Sequence, residues 1–307
     1  MTPSSAAFLT GPTPVETAPR LAVALGLDAD DLRVKRDDLI GLGAGGNKVR
    51  KLEVTMGQAL ESGASTVVTT GAPQSNHARL TAAAGARLGL RVVLVLAGHA
   101  PERRRGNLLL DDLLGAEVVW SGDRPAEDVA DEVEREDRLG QVHRVPFGGS
   151  SPASAEAYVR GGEELLAQVP DVRHLVVAVG SGGTMAGLVV ALGPGRVLGV
   201  DSGAVPDAVA TVHGLLTAMR PGQALPSAAL RIDRDQVGAG YEHLSDPTRS
   251  ALELAARTEG LLLDPTYSGR AMAGLVAAVR SGAIPRGERT VFLHTGGLPG
   301  LFAHEAF

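Results

Sequence analysis

The chain has 307 residues, with 29 basic against 35 acidic side chains, a net charge of −6 and no cysteine. That length fits one large domain or two modest ones. The missing cysteine excludes disulfides, thiolate metal sites, iron–sulfur clusters and cysteine nucleophiles, and no metal is expected. A net acid excess without a basic stripe argues against nucleic acid as a partner, and no apolar run approaches the roughly 20 residues needed to cross a bilayer, which argues against a membrane. Met1 to Arg20 carries Pro3, Pro12 and Pro14 and no basic start leading into an apolar run. It reads as neither a signal nor a transit peptide, so a cytoplasmic protein is expected. Only three of the basic residues are lysines, Lys35, Lys48 and Lys51, and they fall within seventeen consecutive positions.

In chain order, a helix is predicted over 48–62, where Val49, Leu52, Met56 and Leu60 recur at helical spacing. Strands follow over 65–70, 91–96, 117–120 and 141–145, with the densely charged 127–138 read as a solvated helix face. Next come a helix over 153–169, a strand over 175–179, an apolar helix over 185–192, and strands over 197–200, 260–263 and 290–293. β-Branched runs alternating with helical stretches specify an α/β fold with mostly parallel sheets covered by helices. The first four strands and their helices, 49–147, read as a smaller α/β domain inserted in a larger one made of 1–48 and 148–307.

Ligands of open α/β sheets sit at the carboxyl ends of strands. Gly180-Ser181-Gly182-Gly183-Thr184 follows one strand and opens a helix, where converging N–H groups and the helix dipole suit a phosphate. A tight strand-to-helix turn explains the same residues. The loop also nearly matches a dinucleotide fingerprint, with Gly180, Gly182 and an acid at Asp201, but Met185 stands where the third glycine belongs. An NAD-type oxidoreductase is thus a second reading. Gly43-Ala44-Gly45-Gly46-Asn47-Lys48 precedes a helix that Asn47 can cap; the helix amino end, Arg50 and Lys51 would disfavour a Lys48 ammonium and leave a nucleophilic amine. A capped surface helix with solvated lysines is the plainer reading. Gln74-Ser75-Asn76-His77 offers side-chain donors, though helix capping by Ser75 and Asn76 is the plainer reading of the spacing. Asp264-Pro265-Thr266-Tyr267-Ser268-Gly269 and His294-Thr295-Gly296-Gly297 put hydroxyls beside glycine at two further strand ends.

An imine-forming lysine, a phosphate cradle and hydroxyl-bearing strand ends are together the ingredients of a pyridoxal 5′-phosphate enzyme. The motifs Val34–Asp38, Gly45–Glu53, Gln74–Arg79, Gly180–Thr184, Asp264–Gly269 and His294–Gly300 resemble, in order, those of the D-cysteine desulfhydrase and 1-aminocyclopropane-1-carboxylate (ACC) deaminase family. The likeness spans nearly the whole chain. It implies pyridoxal phosphate as cofactor, fold type II (tryptophan-synthase-β-like) with two three-layer α/β/α domains, a homodimer and a small amino-acid substrate. By position it implies Lys48 as the Schiff-base lysine, Asn76 as partner of the ring 3′-oxygen, and Gly180, Ser181, Gly182, Gly183 and Thr184 as the phosphate loop. Ser75 is implied near the substrate carboxylate, with Asn76, His77, Tyr241 and Tyr267 on the substrate side, Tyr241 and Tyr267 as the active-site tyrosines, and Thr295 at the ring nitrogen.

The family divides at Ser268. ACC deaminases resemble Tyr-Glu-Gly where this chain has Tyr267-Ser268-Gly269. A carboxylate there would hold the ring nitrogen protonated; a hydroxyl gives a weaker electron sink, which suffices for β-elimination of a good leaving group. The expected activity is therefore a lyase converting D-cysteine, or a related β-substituted amino acid, to pyruvate, ammonia and sulfide. ACC deaminase, L-cysteate sulfo-lyase and amino-acid racemase are the alternatives.

Overall fold

The computed structural model describes residues 6–223 and 225–307, so the first five positions of the amino-terminal segment read above lie outside the described residues. Among the described residues, ten strands form two sheets. The larger, in the order β1 (Val15–Thr17), β2 (Leu32–Arg36), β10 (Thr290–His294), β7 (His174–Val179), β8 (Val197–Asp201) and β9 (Arg231–Asp233), is parallel except for the β1–β2 pair. The smaller, in the order β5 (Glu117–Trp120), β4 (Arg91–Leu96), β3 (Thr66–Gly71) and β6 (Val142–Arg144), is parallel throughout.

Alternation along each strand decides the layering. In β7, Leu175, Val177 and Val179 enter one core with helices Pro152–Gln168, Gly183–Leu192 and Ala208–Met219. Val176 and Ala178 face the opposite way, onto helices Pro19–Leu25, Asp246–Glu259 and Ser268–Arg280. A strand covered on both faces has to be apolar at successive positions, and this one is. The smaller sheet repeats the plan. Val93 and Val95 pack on helix Ala126–Val133, while Val92, Leu94 and Leu96 pack on helices Asn76–Leu88 and Asn107–Leu113. Helix Lys48–Glu61 buries Val49, Leu52, Met56 and Ala59 against Val67 and Val145. Ala6, Phe8 and Ile40 join that cluster, and the N–H groups of Phe8 and Leu9 both donate to Glu53 Oε1 at 2.8 Å.

Seven predicted strands are present within a residue or two; the one over 260–263 is not. Its burial alternates, with Leu261 and Leu263 inside and Leu262 outside, but its backbone lies outside both sheets. Alternating burial arises here from packing on a core without ladder pairing. Conversely, β1, β2 and β9 escape the pattern. β1 and β9 are three residues long, and β2 carries Arg33, Lys35 and Arg36. The charged stretch forms the helix Ala126–Val133 and a short turn at Asp137–Leu139, with Val129, Ala130 and Val133 as its buried face.

Candidate active site

The carboxyl ends of β3, β7 and β10 open onto one cavity of about 650 Å³, lined from both sheets. Lys48, Ser75, Asn76, His77, Gly180 to Thr184, Tyr241, Tyr267 and Thr295 all line it. Loops separated by more than two hundred residues in sequence thus meet at one cavity. Ser268 does not line the cavity. Its hydroxyl donates to Asp264 Oδ1 and accepts from the Asp264 N–H, so it braces the turn behind the site.

Backbone contacts explain the glycines ahead of Lys48. Gly45 has φ +74°, and a Cβ there would sit 2.0 Å from the Asp38 carbonyl oxygen. A side chain is excluded on both counts. Asn47 occupies the cap position of helix Lys48–Glu61, but its side chain does not cap it. The Asn47 amide instead donates to Thr184 Oγ1 at 3.0 Å, tying the lysine helix to the glycine loop. Burial holds the Lys48 amine down at about 8 and pushes Lys51 well below the ordinary lysine value. Arg50, expected to depress Lys48, points away into a separate ion cluster with Asp37 and Glu164. Lys51, read from sequence only as a neighbour that disfavours the Lys48 ammonium, lines the cavity and donates to Gly148 O and, at 2.9 Å, to Ser150 Oγ. Lys35 lies elsewhere, bound to Glu164 and Gln168.

The glycine loop is built around left-handed Gly182, φ +80°, which caps helix Gly183–Leu192. Ser150 accepts from the Gly183 N–H at 3.2 Å and pairs with Ser181 Oγ at 2.8 Å. Chain position hides this serine from sequence reasoning: it lies 31 residues from Ser181. The free amides at such a helix start form an anion site. Asp201 does not serve a dinucleotide ribose here; it accepts the Gly203 N–H at 2.8 Å and does not line the cavity.

On the opposite wall, Ser75 is both cap and lining residue, its Oγ accepting from the Ala78 N–H at 3.1 Å. His77 Nε2 lies 2.9 Å from Thr69 Oγ1, whose hydroxyl donates to Val145 O at 2.9 Å. That hydroxyl must therefore accept from the ring, which sets Nε2 as the protonated nitrogen and leaves Nδ1 buried without a partner. Burial, with Lys48 and Lys51 adding to it, drives the His77 pKa well below its ordinary value, so the ring is neutral.

Tyr241 and Tyr267 stand edge to face, with ring centroids 5.9 Å apart and hydroxyls 2.6 Å apart. Burial raises both phenols, Tyr241 to about 12, so both are protonated at neutral pH. The Tyr241 loop hangs on Arg270, a buried guanidinium that sequence analysis did not single out. Its Nη2 donates to the carbonyls of Gly240, Tyr241 and His243 at 2.6, 3.0 and 2.8 Å. Tyr158, the third tyrosine, is buried away from the cavity and bonds Asp37 Oδ2 at 2.6 Å and the Asn47 carbonyl at 3.2 Å.

Among known proteins, the profile of the family described as pyridoxal-phosphate dependent enzyme matches residues 6–296. A Pyrococcus abyssi protein named "Putative 1-aminocyclopropane-1-carboxylate deaminase" is 40% identical over 310 residues, covering 94% of this chain and 90% of its own. A Pyrococcus horikoshii protein of the same name is 38% identical over 307 residues, with 94% and 90% covered. The crystal structure of an ACC deaminase homologue superposes with a TM-score of 0.87 at 34% identity, covering 99% of this chain and 94% of that one. Threonine deaminase isoform 2 of Solanum lycopersicum shares the fold alone, with a TM-score of 0.67 at 21% identity over 93% of this chain and 79% of its own. No helix among the described residues is long and apolar enough to cross a membrane. The chain belongs to the pyridoxal-phosphate-dependent enzymes of fold type II, within the ACC deaminase and D-cysteine desulfhydrase family.

Proposed function

We propose that this chain is a lyase acting by β-elimination on a small amino acid, D-cysteine first, to give pyruvate, ammonia and sulfide. One observation carries the choice: at the Thr295 end of the cavity no carboxylate is presented among the described residues. Asp264, the nearby acid, is occupied by the N–H groups of Thr266, Tyr267 and Ser268 and by the Ser268 hydroxyl. Glu127, the one acidic residue lining the cavity among the described residues, stands on the smaller-sheet wall bonded to Thr70. A hydroxyl supports a protonated ring nitrogen far less than a carboxylate does. The weaker electron sink that results suits a substrate whose leaving group is thiolate.

The residues present fit pyridoxal phosphate, because a buried amine with a depressed pKa shares one cavity with a glycine-lined helix start. When bound, the cofactor supplies an aldehyde for imine formation and an electron sink for a carbanion at Cα. Lys48 would hold its aldehyde, Asn76 its ring oxygen and Thr295 its ring nitrogen. Gly180 to Thr184 would hold its phosphate, with the Lys51 amine beside them, held by Gly148 O and Ser150 Oγ. Lys48, with a pKa near 8, keeps a useful share of neutral amine at pH 7 and is the group that takes the Cα proton. The tyrosines are donors rather than bases: both are protonated, and their paired hydroxyls can hand a proton to the departing sulfur. The Ser75 oxygen already accepts from Ala78, which leaves its hydrogen for the substrate carboxylate, alongside the amides that open the helix. His77, neutral and fixed by Thr69, shapes the same wall without adding charge.

Incubation of the purified enzyme with D-cysteine, L-cysteine, L-cysteate and ACC tests this reading. Sulfide and pyruvate from D-cysteine are expected. α-Ketobutyrate from ACC with no product from D-cysteine would instead select ACC deamination, the reading favoured by the relatives' names; sulfite from cysteate, or inversion without product, would select sulfo-lyase or racemase. A cytoplasmic homodimer belongs to the same proposal, and light scattering giving one chain per particle would remove the dimer from it.

A further inference from the structure

Behind Asn76 lies a chain of side-chain hydrogen bonds that the chemistry above does not use. Arg79 is fully buried, and its Nε donates to Asn107 Oδ1 at 3.0 Å. Asn107 is equally buried; its Nδ2 donates to Gln74 O at 3.0 Å and to Asn76 Oδ1 at 3.1 Å. Arg79 Nη2 also reaches Asn76 Oδ1, at 3.3 Å, while Nη1 is held by the carbonyls of Gly43 and Gly45.

The polarity of this chain follows from one fact: arginine has donors only. The Asn107 atom facing Arg79 Nε must be the oxygen, so the Asn107 amide nitrogen faces Asn76. The Asn76 atom facing both Asn107 Nδ2 and Arg79 Nη2 must likewise be its oxygen. With Oδ1 doubly engaged in the network, Nδ2 is the end of Asn76 left for the cavity it lines. We infer that Arg79 and Asn107 are positioning residues, which fix the Asn76 amide as a hydrogen-bond donor toward the cavity, where it selects the anionic form of a ligand oxygen. The inference rests on the reading above that this wall receives the pyridoxal phosphate ring oxygen. An amide free to flip would present donor and acceptor alternately; one locked in series to a guanidinium presents a donor at all times. The titratable groups around the network are Arg79 itself and the buried Asp111, with Lys48 and Lys51 across the cavity.

The test is a pH titration of the visible spectrum of the reconstituted holoenzyme. Removing a donor from an anionic oxygen makes it more basic, so the midpoint should rise by about one pH unit, the scale of one charge-assisted hydrogen bond, in Asn76→Ala. Asn107→Leu should produce a rise of the same sign, and the double variant should show no more than Asn76→Ala alone. Asn107→Asp, nearly isosteric, serves where Leu disturbs folding: it still accepts from Arg79 but cannot donate to Asn76. If its effect were only the field of the new charge, it would persist in the Asn76→Ala background, and that additivity would overturn the inference. An unshifted midpoint in both Asn107 variants would overturn it too, as would native-like circular dichroism with no cofactor bound in either. A wild-type protein that forms no borohydride-reducible chromophore would instead bring down the underlying site reading.

Discussion

Helix Lys48–Glu61 has two polar faces that differ in one respect. On the face turned from the cavity, every buried charge has a counter-charge. Arg50 pairs with Asp37 at 3.0 Å and Glu164 at 2.9 Å, Lys35 pairs with Glu164, and Tyr158 bonds Asp37. Burial alone would raise Glu164, but Arg50 and Lys35 outweigh it and hold the carboxyl at about 2. On the cavity face, Lys48, Lys51 and His77 are also removed from water, yet no carboxylate pairs with them among the described residues. The same burial therefore makes a rigid scaffold on one side and nitrogens that give up their protons readily on the other. Paired charges anchor the helix, and unpaired ones make it reactive.

The largest way to break the contrast is at its reactive end. Lys48→Ala should lower turnover by about a hundred- to ten-thousand-fold and abolish borohydride-stable attachment of the cofactor, read from the visible spectrum. In the wild-type apoprotein, attachment of pyridoxal phosphate should accelerate as pH rises through about 8, not through the 10.5 of an ordinary lysine. At the paired end, Arg50→Met leaves Asp37 buried without its counter-charge and takes one of two cations from Glu164. It should cost about 3–5 kcal/mol in urea unfolding.

A smaller effect isolates a carboxyl that has neither arrangement. Both oxygens of Asp111 are buried without a partner, and burial raises its pKa from 3.8 to about 7. Folding then takes up a proton between those values, so its contribution is full below about pH 4 and is lost as pH rises to about 7. Asp111→Asn should flatten the stability–pH curve across that window, measured as Tm at successive pH values. Smallest is Thr69→Val, which strands the His77 Nε2–H and should cost about 1–2 kcal/mol in the same unfolding assay.

What the sequence made legible was whatever a single segment carries. Consecutive apolar residues announced β7, and Gly45-Gly46-Asn47-Lys48 announced a lysine at a helix start, which the fold sets in the cavity wall. What stayed hidden needed two segments at once. Asn107 reads as an ordinary helix start, because its partners Gln74, Asn76 and Arg79 lie about thirty residues earlier. Ser268, placed at the cofactor by its neighbours in the motif, turns to Asp264, because a side chain at the first position of helix Ser268–Arg280 can brace its own turn. The strand expected over 260–263 has the right residues but no neighbour to pair with. β2 has the neighbour, and its charges are tolerated because Lys35 finds Glu164 and Arg36 finds Asp38.

The lysines leave one practical consequence. Lys35 and Lys51 are almost wholly enclosed and Lys48 lines the cavity, so the outer surface carries guanidinium groups and no lysine ammonium. Guanidinium does not condense with aldehydes under ordinary conditions. An aldehyde diffusing to this protein meets no decoy side-chain amines on the way in. Mild reductive amination should therefore deposit a label at one interior address plus the chain terminus, and amine-directed cross-linkers, which rely on peripheral lysines, should leave the folded molecule almost untouched.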